Sequence, residues 1–402
     1  MSNGINLENL NDLQKSLLTQ ISYLNINDEG REKILNGGIS VSELSTYLAN
    51  PDDMFVGDNL FDNNVTHSVV DKVVGDKGII THKELVDCLI ENGLSEIFIT
   101  NISNKKGTLT NGFQALTFVD SYGNTGISYR GSDFNLTQGG INDWLEADVL
   151  EYFTGSSSQV REALKYFEDN KNSNGNNFLY GHSLGGNLTS HTYLHNHDEI
   201  REAFTVNGNP INQKLLDTPE KVEAFNDPEK YHCNVIGGDI VGHFKSCSSY
   251  RNNVKYIHNN GEYTNTPVSA HMIQAAEFDE NGNFVVIDEK EMVKEMGLGY
   301  ALLMTFSQGV REILNTMERN IAKDEYRKMF ELYKVSLLEH LDTLEKKFGN
   351  TAPTLNDSDN LVLIDEFHAA ALNNEKEFIE TISKYLGNNI VGQDMIQGSI
   401  KK

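Results

Sequence analysis

The spacing of apolar residues changes along the chain and divides it into three regions. Over residues 1–95, short amphipathic stretches broken by Gly and Asn read as helices with brief breaks. From residue 113 the rhythm becomes that of strands. "FQALTFVDSYGNTGISYRG" (113–131) places two short apolar runs around Asp120–Asn124, which predicts a hairpin. "WLEADVLEYF" and "QVREALKYFED" follow at helical spacing, with Leu164 and Phe167 on one face. "NNFLYG" (176–181) reads as a buried strand and "LGGNLTSHTYLH" (184–195) as the helix leaving it. "AFTVN" (203–207) and "YHCNVIGGD" (231–239) read as further strands. Strands alternating with helices predict a mainly parallel, helix-covered α/β sheet. Chemistry in such sheets sits beyond the carboxyl ends of the strands, where Ser183 and Asp239 both fall. From Met292, through Met296, Tyr300, Leu303 and Phe306 to Phe348, large apolar residues recur every three or four positions, and Gly349 with Pro353 ends the stripe. The expected units are a helical region 1–95, an α/β unit 96–290 and a helical region 291–402.

Charge supports the second boundary. The 402 residues carry 33 basic and 58 acidic side chains, a net charge of −25. Residues 291–402 hold 13 basic and 18 acidic residues, a net of −5, which leaves −20 for residues 1–290. Such an acidic chain repels polyanions, so nucleic acid is not an expected partner. No run of about 18 apolar residues is present to span a bilayer. The first residues, "MSNGINLENLNDLQKSLL", lack a basic segment followed by an apolar core, so a cytoplasmic location or a leaderless export route is expected. Cys88, Cys233 and Cys247 fit neither a disulfide framework nor a zinc pattern.

Two segments, "GGISVSEL" (37–44) and "GIITHKEL" (78–85), repeat the second half of a calcium-binding EF-hand loop. The early ligand positions would be Glu32, Ile34 and Asn36 in one copy, and Val73, Gly75 and Lys77 in the other. A hard cation needs oxygen ligands there, so a structural helix-loop-helix pair is expected. His191, His195 and His197 share a helix face, yet no carboxylate or cysteine joins them to complete a zinc set. "FDENGNF" (278–284) reads as a hairpin turn at Asn281-Gly282.

The candidate chemistry centres on "LYGHSLGGNL" (179–188), with Ser183 between Gly181 and Gly185. The spacing G-x-S-x-G arises by chance in roughly one chain in ten of this length. Its setting between a strand and a helix is what gives it weight: a nucleophile elbow exposes the serine oxygen and aims the next amide, that of Leu184, at an oxyanion. The triad then requires an acid and a histidine in that order. Asp239 ends the second strand after Ser183. Among the histidines that follow, His243 is too near the acid along the chain, and His340 and His368 lie beyond the boundary. His258 ends the strand "VKYIH", and His271 opens a helix after a loop that can reach the elbow; spacing alone favours His271 and leaves His258 open.

Residues 112–290 resemble the class 3, or fungal-type, lipases of the α/β-hydrolase superfamily, and resemble more closely a bacterial lipase-like family of unknown function. The segments "GFQALTFVDSYGNTGISYRGSD", "INDWLEADVL", "FLYGHSLGGNL", "CNVIGGDIV" and "AHMIQAAEFDENGNF" carry the resemblance in order. It implies a catalytic triad of Ser183, Asp239 and His271. It also implies that Arg130-Gly131-Ser132 supplies a second oxyanion donor, the amide of Ser132, opposite Leu184, with Trp144 and Asp148 supporting that loop. "DFNLTQGGIND" after Ser132 is polar and glycine-rich, which argues against an amphipathic lid, and the 32-residue spacing from Asp239 to His271 implies a cut-back acyl groove. The implied activity is hydrolysis of lipid carboxylesters, of lipase or phospholipase A type, without cofactor or metal and with at most peripheral contact with a membrane. A catalytically idle α/β-hydrolase fold used as a binding module is the alternative. A lipase followed by a helical tail also loosely resembles exported bacterial effectors, so the C-terminal helices are expected to bind a helper or immunity protein.

Overall fold

The computed structural model describes residues 4–52, 81–104, 113–131, 158–208, 215–237, 239, 254–260, 271–288 and 291. The C-terminal stripe from Met292 onward, the helix expected in "WLEADVLEYF", and His243 lie outside the described residues.

Nine strands among these residues form one sheet in chain order. They are β1 (Ile39–Ser40), β2 (Phe98–Asn104), β3 (Gln114–Val119), β4 (Thr125–Tyr129), β5 (Asn177–His182), β6 (Ile200–Val206), β7 (Tyr231–Ile236), β8 (Val254–Ile257) and β9 (Val286–Ile287). Strands β4 to β8 are parallel to one another, whereas β1 to β4 and the pair β8–β9 run antiparallel. The fold is therefore α/β with a mixed sheet, and the expectation of a mainly parallel sheet is corrected. Turn length is the physical reason. Asp120–Asn124 is too short to cross over the sheet, so β3 and β4 must pair as a hairpin. Asp120 closes that turn by accepting the amides of Tyr122 and Asn124, each at 2.9 Å.

Six α-helices among the described residues cover the two faces: α1 (Asp12–Gln20), α2 (Asp28–Gly37), α3 (His82–Glu91), α4 (Ser158–Asn170), α5 (Leu184–Asn196) and α6 (Pro219–Phe225). Their starts are written locally. Asn11 with Gln14, and Thr81 with Glu84, form capping boxes that satisfy amide groups the first turn leaves open. Pro219 occupies the first turn of α6, where no amide is needed. Side chains alternate across the sheet, so Phe178 and Tyr180 of β5 face one core and Leu179 the other. One face packs on α4, α5 and α6 through Val160, Phe167, Leu188 and Phe225.

The opposite face packs on the N-terminal segment through Leu18, Ile21, Leu85 and Leu89, which share a single core with Phe118, Phe204 and Ile236. Polar ties bind the same layer. Lys15 Nζ meets Glu202 at 2.6 Å, and Ser128 donates to Ser22 at 3.0 Å. The amide of Leu7 reaches Asp120 at 2.8 Å. β1 joins the sheet itself beside β2. Residue 95 thus separates two stretches of sequence that bury the same apolar surface. The 278–284 turn is a hairpin, with Phe278 bridged to Phe284 and Gly282 at φ 77°, and its tip docks on the start of α1.

The EF-hand-like glutamates do local work instead. Glu43 accepts the amide of Ser40 at 2.9 Å, and Glu84 that of Thr81 at 2.8 Å, each as the third residue of a capping box. No helix among the described residues is long and apolar enough to cross a membrane.

Candidate active site

β5 is buried along its whole length and delivers the chain to Ser183, where φ is 58° and ψ −130°. This region is costly for a residue with a Cβ, and only a tightly determined turn holds it. The turn is tight because α5 starts at once. A Cβ on Gly181 would run into the backbone carbonyl of Gly185, and one on Gly185 into the carbonyl of Tyr129 on β4. Glycine at both positions lets strand, helix and serine converge. Leu184 is the first residue of α5, so its amide is one of those a helix leaves without an internal partner, at the positive end of the helix dipole.

Asp239 lies just beyond β7 with its side chain fully buried. His271 Nδ1 donates to Asp239 Oδ1 at 2.8 Å. An imidazole that gives its Nδ1 hydrogen to a carboxylate keeps Nε2 as a lone-pair acceptor. That Nε2 is buried and has no hydrogen-bond partner, Ser183 included. Such contacts are often long in the free state and tighten with substrate. His258 instead faces Glu277 at 3.4 Å in a half-exposed pair.

The main chain of His271 is tied to the elbow. Its carbonyl accepts from His182 Nε2 at 2.8 Å and from Asn207 Nδ2 at 3.0 Å, and the rings of His182 and His271 lie 4.8 Å apart, centre to centre. Burial, and then the neighbouring His271, push the His182 pKa down to about 3, which keeps that ring neutral. Asn207 ends β6 at φ 49° and also accepts the amide of Ile236 at 2.8 Å, so the ends of β6 and β7 fix one another.

Ser132, Trp144 and Asp148 lie outside the described residues. Gly131, immediately before Ser132, packs against the elbow: a Cβ placed on it would stand 3.2 Å from the Cβ of Ser183. The helix expected after His271 is replaced by a single 3₁₀ turn, Ile273–Ala275. The cause is edge pairing, since Asn260 bonds the Ala275 carbonyl at 2.9 Å and Glu277 bonds that of His258 at 2.9 Å, which pulls the segment into extended form. His191 and His195 stay on α5, where His195 Nδ1 donates to the His191 carbonyl at 2.8 Å.

Sequence reasoning missed Tyr23 and Asn207, and it gave His182, beside the serine, no proton-transfer role. Asn207 had a signal in "NGNP", a turn-prone cluster at a strand end where Asn tolerates positive φ. Tyr23 had none, because its partners lie more than a hundred residues away along the chain.

The site thus combines a strained serine between strand and helix with a buried His–Asp pair in an α/β fold. Residues 93–276 match the family model described as Mbeg1-like, a lipase-like family of unknown function. Neither the curated proteins nor the solved structures gave a match to this chain.

Proposed function

We propose that the chain is a serine carboxylester hydrolase of α/β-hydrolase type, related to the class 3 lipases, that cleaves acyl esters of lipid as a lipase or phospholipase A. The observation that carries this reading is the state of His271. Its Nδ1 is committed to buried Asp239, and its Nε2 is buried, unpartnered and close to the residue that precedes Ser183. A buried polar atom left without a partner costs free energy, and a lone pair kept free for a proton is a reason to retain it.

In this reading Ser183 Oγ attacks the acyl carbonyl carbon as its proton passes to His271 Nε2. The carbonyl electron pair moves onto oxygen, which accepts hydrogen bonds from the amides of Leu184 and Ser132. Collapse of the tetrahedral species breaks the ester bond, and the departing alkoxide takes the proton from Nε2. Water then repeats the sequence on the acyl-enzyme. Asp239 holds the imidazole and stabilises the imidazolium that forms. One oxyanion donor in a preorganised site is worth about 100- to 1000-fold in rate. Lipid as the substrate class is supported by the lipase-like family match and by the resemblance to class 3 lipases. The proposal extends to an exported bacterial effector whose residues 291–402 bind a helper or immunity protein.

The test is fluorophosphonate labelling of the full chain beside Ser183→Ala, followed by assays on a short-chain p-nitrophenyl ester, triacylglycerol emulsion and phospholipid vesicles. Labelling and turnover lost together in the variant support the reading. A wild-type chain that neither labels nor hydrolyses any of the three is an idle fold.

A further inference from the structure

Tyr23 lies on the 3₁₀ turn Ile21–Tyr23 of the N-terminal layer, ahead of the segment that matches the family model. Its ring is buried, and its hydroxyl sits between two parts of the site. Oη accepts the amide N–H of Gly131 at 2.9 Å. It also lies 3.4 Å from His182 Nδ1 and 3.5 Å from the His182 carbonyl oxygen. The guanidinium of Arg130 stands 5.4 Å from the Tyr23 ring centre.

Chemistry fixes the direction of this chain of contacts. His182 Nε2 faces a carbonyl oxygen, which only accepts, so Nε2 carries the hydrogen. In a neutral ring Nδ1 is then an acceptor, and burial keeps the ring neutral. Toward His182 the phenol can only donate, because both atoms it faces there, Nδ1 and the carbonyl oxygen, are acceptors. The order is Gly131 N–H to Tyr23, Tyr23 O–H to His182, and His182 Nε2–H to the His271 carbonyl. Gly131 depends on this phenol. The sheet ladder ends one residue earlier, where the Arg130 amide bonds the Gln114 carbonyl at 3.0 Å, and a buried amide beyond the ladder needs another acceptor.

We propose that Tyr23 is a positioning residue whose hydroxyl fixes the main chain at Gly131 and, through His182, the main chain of His271. The N-terminal layer is then part of the catalytic apparatus. This inference rests on the serine-hydrolase reading given above.

The experiment compares full-length wild type, Tyr23→Phe and Tyr47→Phe. Tyr47 is a tyrosine of the same layer whose hydroxyl partners Lys33 at 2.6 Å, so its variant controls for loss of a phenol from that layer. Tyr23→Phe is expected to lower kcat on a short-chain ester by about ten- to a hundredfold with KM within about twofold, because it loosens donors that act on the transition state. Affinity for an alkylboronic acid, a mimic of the tetrahedral species, should fall by the same factor as kcat/KM. Tyr47→Phe should match wild type. In nitrogen-15 spectra of histidine-labelled wild type, His182 should be the neutral Nε2–H form with a hydrogen-bonded Nδ1, a result that does not depend on the variant folding. Tyr23→Phe with wild-type kcat and boronate affinity overturns this inference while leaving the hydrolase reading intact, as does an Nδ1–H form of His182 in the wild type. A wild type inert to ester and fluorophosphonate overturns both.

Discussion

His182 Nε2 donates to the main-chain carbonyl of His271 at 2.8 Å. The residue before the proposed nucleophile therefore anchors the backbone of the proposed base. Neither histidine can shift without moving the other, and Asn207 holds the same carbonyl from β6. A site built this way holds the backbone of the proposed base through two side chains, those of His182 and Asn207, placed at the ends of neighbouring strands.

Ser183→Ala should abolish ester hydrolysis, by about 10⁴-fold or more, while the fold persists. Ser183→Gly should be equally inactive yet more stable than Ser183→Ala by about 1 kcal/mol, because glycine relieves a backbone held at φ 58°. Urea unfolding of the two variants gives the comparison. If they prove equally stable, the elbow stores no strain.

Asp239→Asn and His271→Ala should each cut kcat by about 10³- to 10⁴-fold, since one fixes the tautomer and the other is the base. His258→Ala should stay within about twofold of wild type, because its ring pairs with Glu277 in a half-exposed site. A dead His258→Ala beside an active His271→Ala would reverse the assignment of the base.

Gly185→Ala should destabilise by about 3 kcal/mol or more and impair expression, because its methyl meets the Tyr129 carbonyl, a backbone atom that cannot swing aside. Gly37→Ala, where a Cβ meets nothing within 4 Å, is the matching control. Thermal melting of both variants checks the contrast.

Acid should weaken the fold through His232. Burial, then Lys15 and Lys255, lower its pKa from 6.5 to about 4. Below pH 6.5 the unfolded chain takes up a proton that the folded chain refuses. Stability is therefore full above about pH 6.5 and falls as the pH drops toward 4. Between pH 7 and pH 5 the loss from this one group is about 2 kcal/mol. His182 acts in the same sense, whereas Glu202, raised by burial, opposes it at lower pH. His232→Gln should flatten the dependence in urea titrations at the two pH values, and a slope equal to wild type would exclude this cluster as the cause.

A truncation to residues 1–290 should still hydrolyse soluble short-chain esters, since every residue in the proposed chemistry precedes Met292. The isolated tail should retain helper or immunity-protein binding in pull-downs. A folded but inactive truncation would make residues 291–402 part of the catalytic unit.

Much of the α/β unit was legible because its signals are local. β5 is an apolar run, α5 starts where glycines permit a sharp turn, and the 120–124 and 278–284 turns carry the Asp, Asn and Gly that close them. Strand direction was less legible, because pairing is decided by the length of each connection and by what covers each edge, and β1 and β2 gave no sign that they extend the sheet. In the site, motif spacing led from Ser183 to Asp239 and favoured His271 while leaving His258 open, and the resemblance to class 3 lipases implied His271. The Asp239–His271 bond, however, required the end of β7 and a distant loop to meet. Tyr23 marks the limit. A tyrosine in an apolar N-terminal turn reads only as core until folding of the chain sets its hydroxyl beside Gly131 and His182. The sequence by itself determined most of the strands, helices and turns of the α/β unit, because backbone preference and apolar spacing act over a few residues, whereas edge pairing overrode it after His271 and at β1. Tertiary structure alone decided which hydroxyl, carbonyl and ring meet across the sheet, because burial of apolar surface drives those approaches and a hydrogen bond is decided within half an ångström.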